Sequence, residues 1–238
     1  MIVFDFADPT LIYLVYNLLT FALLFAMVRH RAFLRKHDRT VLWVIFALLA
    51  YSQLIRYGMP ILTNTFLVAE HLPFQTCRVS SVVLLYYLVR RDERAHPWVF
   101  YLTATGIWGV FITNGSIAAI PELTEYYFID HTLLGLMPFY LLLVKDYRPS
   151  YRLVYVIPLA LLTTTTLFIP INAWLGGEYF HLGNVTIARL ILPGISPIGF
   201  FILLSLALFV YFNILYWIGH KVADATTSPM PANRPRSV

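Results

Sequence analysis

Fourteen of the seventeen Lys and Arg residues fall in four short segments, and these alternate with long apolar stretches. The segments are Arg29 to Arg39, Arg90 to Arg94, Lys145 to Arg152 and the tail from Lys221; the exceptions are Arg56, Arg78 and Arg189. A helix crosses a bilayer with about 20 apolar residues. Seven stretches qualify: 9–28, 41–57, 73–89, 98–118, 126–144, 153–172 and 198–219. Basic residues collect on the cytoplasmic side of membrane proteins. With basic segments after stretches one, three, five and seven, the pattern predicts an all-α polytopic bundle of seven transmembrane helices, N-terminus outside and C-terminus cytoplasmic. The expected location is the cell membrane, multi-pass.

Composition agrees with lipid as the solvent. The chain is 59% apolar and 12% charged, whereas a soluble domain carries about 25% charged residues. The net charge of +5 lies in short loops between apolar runs, so it reads as topology rather than nucleic-acid binding. The first apolar run follows Asp5 and Asp8 with no basic flank, which predicts a retained span rather than a cleaved signal. Residues 1–221 form the expected transmembrane domain. Residues 222–238, rich in Pro, Ser and Thr, are expected to be a disordered cytoplasmic tail.

The far side isolates the residues that could carry chemistry. Cys77 is the only cysteine, so no intrachain disulfide forms. It stands in His71-Leu-Pro-Phe-Gln-Thr-Cys-Arg78, where Pro73 suits the first turn of a helix. A thiol at a helix N-terminus beside Arg78 is poised to ionise and would be a competent acyl nucleophile. The alternative is a small apolar residue packed between helices. His131, preceded by Asp130, opens stretch five at the same expected depth and could serve as the base; otherwise it is an interfacial histidine. His71, Gln75 and Arg78 are spaced to share one helix face beside the thiol.

Arg56, Arg78 and Arg189 all fall at outer-leaflet depth, where bidentate arginines suit an anionic phospholipid headgroup. Each could instead pair with an acid such as Glu70, Glu122 or Glu178. Asn114 and Gln75 could steady an oxyanion, although Ser52, Gln53, Ser80, Ser81 and Asn114 could equally be interhelical hydrogen bonders. The long outer connection 173–197, with Tyr179 and His181, carries enough turn chemistry for a folded lid.

Two segments carry a resemblance: Leu72-Pro-Phe-Gln-Thr-Cys77, and His131-Thr-Leu-Leu-Gly-Leu-Met-Pro138. With Lys145-Asp-Tyr-Arg-Pro149 and, more loosely, Gly177-Glu-Tyr-Phe-His-Leu182, the chain resembles the YwaF-like family of bacterial integral membrane proteins. That family is distantly similar to a transmembrane ether-phospholipid acyltransferase that works through a cysteine, and to the androgen-induced-gene hydrolases, which use a threonine and a histidine. The resemblance implies Cys77 as acyl-accepting nucleophile, His131 as base and Thr76 as a reserve nucleophile.

The leading expectation is thus a lipid acyltransferase or esterase at the outer leaflet. Its partners would be membrane lipids, with a lysolipid or acyl ester as substrate and no cofactor. Substrate contacts would come from Arg78, Arg56, Arg189, His71, His181 and Tyr179, with Gln75 and Asn114 beside the catalytic pair. One rival is a zinc hydrolase on His71, His131 and His181, unsupported by any HxxxH or HExxH spacing. Another is a non-enzymatic transporter or binding protein for lipids or small solutes. The final stretch has no lysine for retinal chemistry, and mid-span acids that could relay protons are lacking.

Overall fold

Proline and charge mark where the helices begin. The computed structural model describes residues 9–107, 121–176 and 194–226. Helix α1 spans Pro9–Arg29, α2 Arg31–Lys36, α3 Asp38–Leu62, α4 Val68–His71 and α5 Thr76–Arg90. After a 3-10 turn at Glu93–Ala95 come α6 His96–Ala104, α7 Pro121–Leu143, α8 Arg152–Leu175 and α9 Pro197–Thr226. Pro9, Pro121 and Pro197 each occupy the first helical position, where a missing N–H is no loss. Asp38 opens α3 at the positive end of its dipole. Helix α8 stops at Gly176, whose φ of +65° lets its N–H return to the Asn172 carbonyl. Among the described residues there is no β-strand.

The surface identifies the solvent. Large apolar side chains face outwards along the helices, Leu62 at 78% exposure and Trp174 at 83% among them. An apolar exterior of this extent is stable in lipid and not in water. Helices α3, α8 and α9 are long and apolar enough to cross a bilayer. This is an all-α membrane protein, and every apolar stretch recognised in the sequence contains a helix.

Several boundaries differ from the sequence reading. Helix α5 begins at Thr76, not Pro73, and its 15 residues rise only about 22 Å. Pro73 instead sits in a bend between α4 and α5. Helix α7 starts at Pro121, five residues before the expected 126. The first basic segment is itself helical as α2, and α9 runs on to Thr226, past the expected boundary at 221.

The helices pack around α7, which touches α1, α3, α5, α6 and α9. Gly106, just past the end of α6, lets the chain approach α7 closely: a Cβ there would lie 2.4 Å from the Leu134 Cβ. Small residues at such crossings let backbones approach and gain dispersion energy that lipid does not supply. The main core includes Leu49, Leu84, Phe100, Met137 and Phe212.

At one end of the bundle the basic segments meet. Arg35 donates to the Leu143 carbonyl at 2.8 and 3.1 Å and pairs with Asp146. Asp38 accepts from Tyr140 at 2.7 Å and Lys145 at 3.1 Å. Arg148 pairs with Asp224 at 3.1 Å. The charge alternation along the chain has become a separation between two ends of one bundle, with Cys77 towards the other.

Candidate functional site

Three helices converge on a buried polar cluster. Helix α3 presents Gln53 and Arg56, α5 presents Cys77 and Ser81, and α7 presents Tyr127, Asp130 and His131. In each case the spacing is three or four residues, which places the members on one helix face.

Asp130 is the hub. It is fully buried and accepts hydrogen bonds from Ser81 Oγ at 2.7 Å, Gln53 Nε2 at 2.8 Å and Arg56 Nη2 at 3.3 Å. A buried carboxylate is tolerable only when its charge and lone pairs are met in this way. Arg56 is 7% exposed, and its guanidinium lies over the Tyr126 ring, 5.1 Å from the centroid. Its other amino group, Nη1, is covered and has no hydrogen-bond partner among the described residues.

His131 is 3% exposed. Its Nδ1 lies 2.8 Å from the Tyr127 carbonyl one turn earlier, and the ring stacks on Tyr127 with centroids 3.9 Å apart. A carbonyl can only accept, so Nδ1 carries the proton in the neutral ring and Nε2 keeps a free lone pair. Asp130 is a more distant neighbour, 3.9 Å from Nδ1. Cys77, half-buried and second in α5, lies beside His131, within reach of its ring. A thiol beside an imidazole whose Nδ1 is anchored has the elements of a nucleophile and its base.

Arg78 donates to the Leu72 carbonyl at 2.6 Å, bracing the bend before α5. It lies within electrostatic reach of Arg56, Tyr57 and Cys77, so two of the three expected arginines gather near the thiol. Thr76 opens α5, and its carbonyl accepts from Ser80 Oγ at 2.8 Å. Gln75 is the residue preceding α5 and makes no capping hydrogen bond with its side chain.

Two expectations about this region need correction. His71, Gln75 and Arg78 do not share a helix face, because the bend at residues 72–75 separates α4 from α5. His71 turns back on its own segment, with Nδ1 3.0 Å from the Leu67 carbonyl, and its ring rests on Phe66. Nor does His131 open its helix. It stands ten residues after Pro121, about 15 Å along the axis, which sinks the cluster towards the middle of the bundle. Asn114, Tyr179, His181 and Arg189 lie outside the described residues.

Asp130 is the residue whose role the sequence reading missed. The signal was present: an acid inside an apolar helix is a functional candidate. It was hidden by starting that helix at 126, which put Asp130 in the outer interface. Among the described residues no three His, Cys, Asp or Glu side chains are grouped to hold a metal ion.

Comparison with known proteins adds one finding. No curated protein and no solved structure matches the chain. The model of the TMEM164 family, a transmembrane family, matches residues 6–218, and on that coverage the chain belongs to the TMEM164 family.

Proposed function

We propose that this protein is a lipid-modifying membrane enzyme that transfers or hydrolyses acyl esters through Cys77 and His131. The observation that carries the reading is the juxtaposition of these side chains across α5 and α7, with His131 Nδ1 held by the Tyr127 carbonyl. The resemblance to YwaF-like proteins, and through them to cysteine-dependent ether-phospholipid acyltransfer, supports the same pair. In this reading the bundle crosses the membrane seven times with its N-terminus outside. The site then opens to the extracytoplasmic leaflet.

The chemistry follows from the geometry. His131 Nε2 takes the thiol proton, and the sulfur attacks the acyl carbonyl of a phospholipid ester. As the tetrahedral intermediate collapses, the acyl–oxygen bond breaks and the leaving alkoxide takes the proton from His131. An acyl thioester on Cys77 remains. A lysolipid hydroxyl or water, deprotonated by His131, then attacks the thioester and restores the thiol. The uncommitted Nη1 of Arg56 and the nearby Arg78 suit an oxyanion or the lipid phosphate. Asp130 holds Arg56 and braces α3, α5 and α7 around the pair.

The test is acyl transfer by purified protein with defined phospholipids. Cys77→Ala is expected to abolish transfer, with a loss of about 1,000-fold or more, as for other nucleophile deletions. Undiminished activity excludes Cys77 as nucleophile. Labelled-lipid movement in proteoliposomes without any ester cleavage would replace the enzyme reading by transport.

A further inference from the structure

A second polar site lies at the basic end of the bundle, away from Cys77. A cavity of about 320 Å³ opens there between the start of α3 and the end of α5, within the range of small-molecule sites, roughly 300–1,000 Å³. Its charged lining is Arg39, Arg91 and Lys145 against Asp38 and Glu93. Lys145 is already bound to Asp38, which also accepts from Tyr140. The uncommitted charge is therefore mostly positive.

Arg91 is the unusual member. It ends α5 in the left-handed region, φ +56°, a conformation that costs a non-glycine residue free energy and needs the surroundings to enforce it. That turn aims the side chain across the Trp43 ring, 5.5 Å from the centroid. Both Nη1 and Nη2 are covered, and neither has a hydrogen-bond partner among the described residues. No ion pair joins Arg91 to Asp38 or Glu93 among the described residues. Two buried guanidinium NH2 groups without acceptors are expensive, and a planar fork of donors is the side chain best shaped for a phosphate.

We propose that this cavity binds a phosphate group, either on an anionic lipid headgroup or on a small soluble phosphate. Arg91 is the principal contact and Arg39 guards the mouth. Basic pockets between helices at the membrane surface are suited to lipid headgroups, and Trp43 and Tyr87 line this one, aromatic rings of the kind enriched at membrane interfaces. Because neighbouring side chains cover the Arg91 nitrogens, an anion engages them by drawing the guanidinium off the indole of Trp43.

The full chain, purified in neutral detergent and immobilised, is tested for retention of radiolabelled inorganic phosphate. In parallel, the chain in phosphatidylcholine nanodiscs is tested for retention of labelled phosphatidic acid. Saturable binding of the lipid alone assigns the headgroup, and binding of inorganic phosphate assigns a soluble ligand. Either is expected to change tryptophan emission in a way that Trp43→Phe abolishes. Arg91→Gln is expected to weaken binding by about tenfold or more, the equivalent of one strong charge-assisted contact. Binding of neither probe, or an affinity of Arg91→Gln within twofold of the parent, overturns the site. If Arg91→Gln does not fold, Arg39→Gln replaces it, with an expected loss of at least about threefold, and unchanged affinity there is equally decisive.

Discussion

Replacing Asp130 by Asn removes the negative charge on which Gln53, Ser81 and Arg56 converge while changing the shape of the side chain very little. Two effects compete in size. The hydrogen bonds from Gln53 and Ser81 contribute about 0.6–1.5 kcal/mol each inside a helix bundle, and because both end on Oδ1 the Asn carbonyl in its place can still accept them. The larger effect is on Arg56, which is 7% exposed and would keep its charge with no counterion. Breaking one side of a buried pair costs about 3–5 kcal/mol, so the orphaned guanidinium dominates. At roughly 2–4 °C per kcal/mol for a chain of this size, the expected fall in Tm is about 6–20 °C. A thiol-reactive dye provides the assay, because Cys77 is the only cysteine and unfolding exposes it fully. Adding Arg56→Gln to Asp130→Asn removes the stranded charge and should recover at least about 2 kcal/mol of the loss. If the two losses instead add to within about 0.5 kcal/mol, Asp130 and Arg56 are not coupled and the account of the hub is wrong.

Three further outcomes follow from particular contacts. Gly106→Ala must push the segment after α6 off α7, because its Cβ would lie 2.4 Å from that of Leu134. It should cost about 1–3 kcal/mol, whereas Gly58→Ala, with nothing within 4 Å, should be neutral or stabilise by up to about 1 kcal/mol; equal Tm values for the two variants would remove the close-packing argument. In the folded protein, His131→Asn should slow alkylation of Cys77 by about tenfold or more, through loss of the base that shares its proton, and an unchanged rate would separate the thiol from the imidazole. Burial pushes the Tyr147 phenol, in the connection between α7 and α8, up to about 12. Its neutral form is therefore favoured by folding, and the contribution is fully present below the unfolded value near 10 and lost as pH rises from there to about 12. Alkaline unfolding curves of Tyr147→Phe should accordingly be flatter across that window, and curves parallel to the parent's would refute the assignment.

Apolar runs and clustered charges are local properties of a chain, because about 20 residues suffice to span lipid and a short loop suffices to hold its basic residues. That is why the all-α class, the membrane setting and a helix in each of the seven stretches could be read from residue order alone. Cys77 and His131 were legible as candidates for the same reason: each is a reactive group next to a helix start or an acid. Helix starts were less legible. Pro73 and Pro121 look alike in sequence, yet one lies in a bend and the other opens a helix, and that difference alone moved Asp130 from the interface into the bundle. What three helices bring together depends on how each is rotated about its axis, and rotation is set by packing such as the Gly106–Leu134 approach. Only the tertiary structure could turn Gln53, Ser81 and Arg56 towards one carboxylate. Only it could leave Arg91 across Trp43 with its donors unmatched, because hydrogen bonds between residues dozens of positions apart have no signature along the chain.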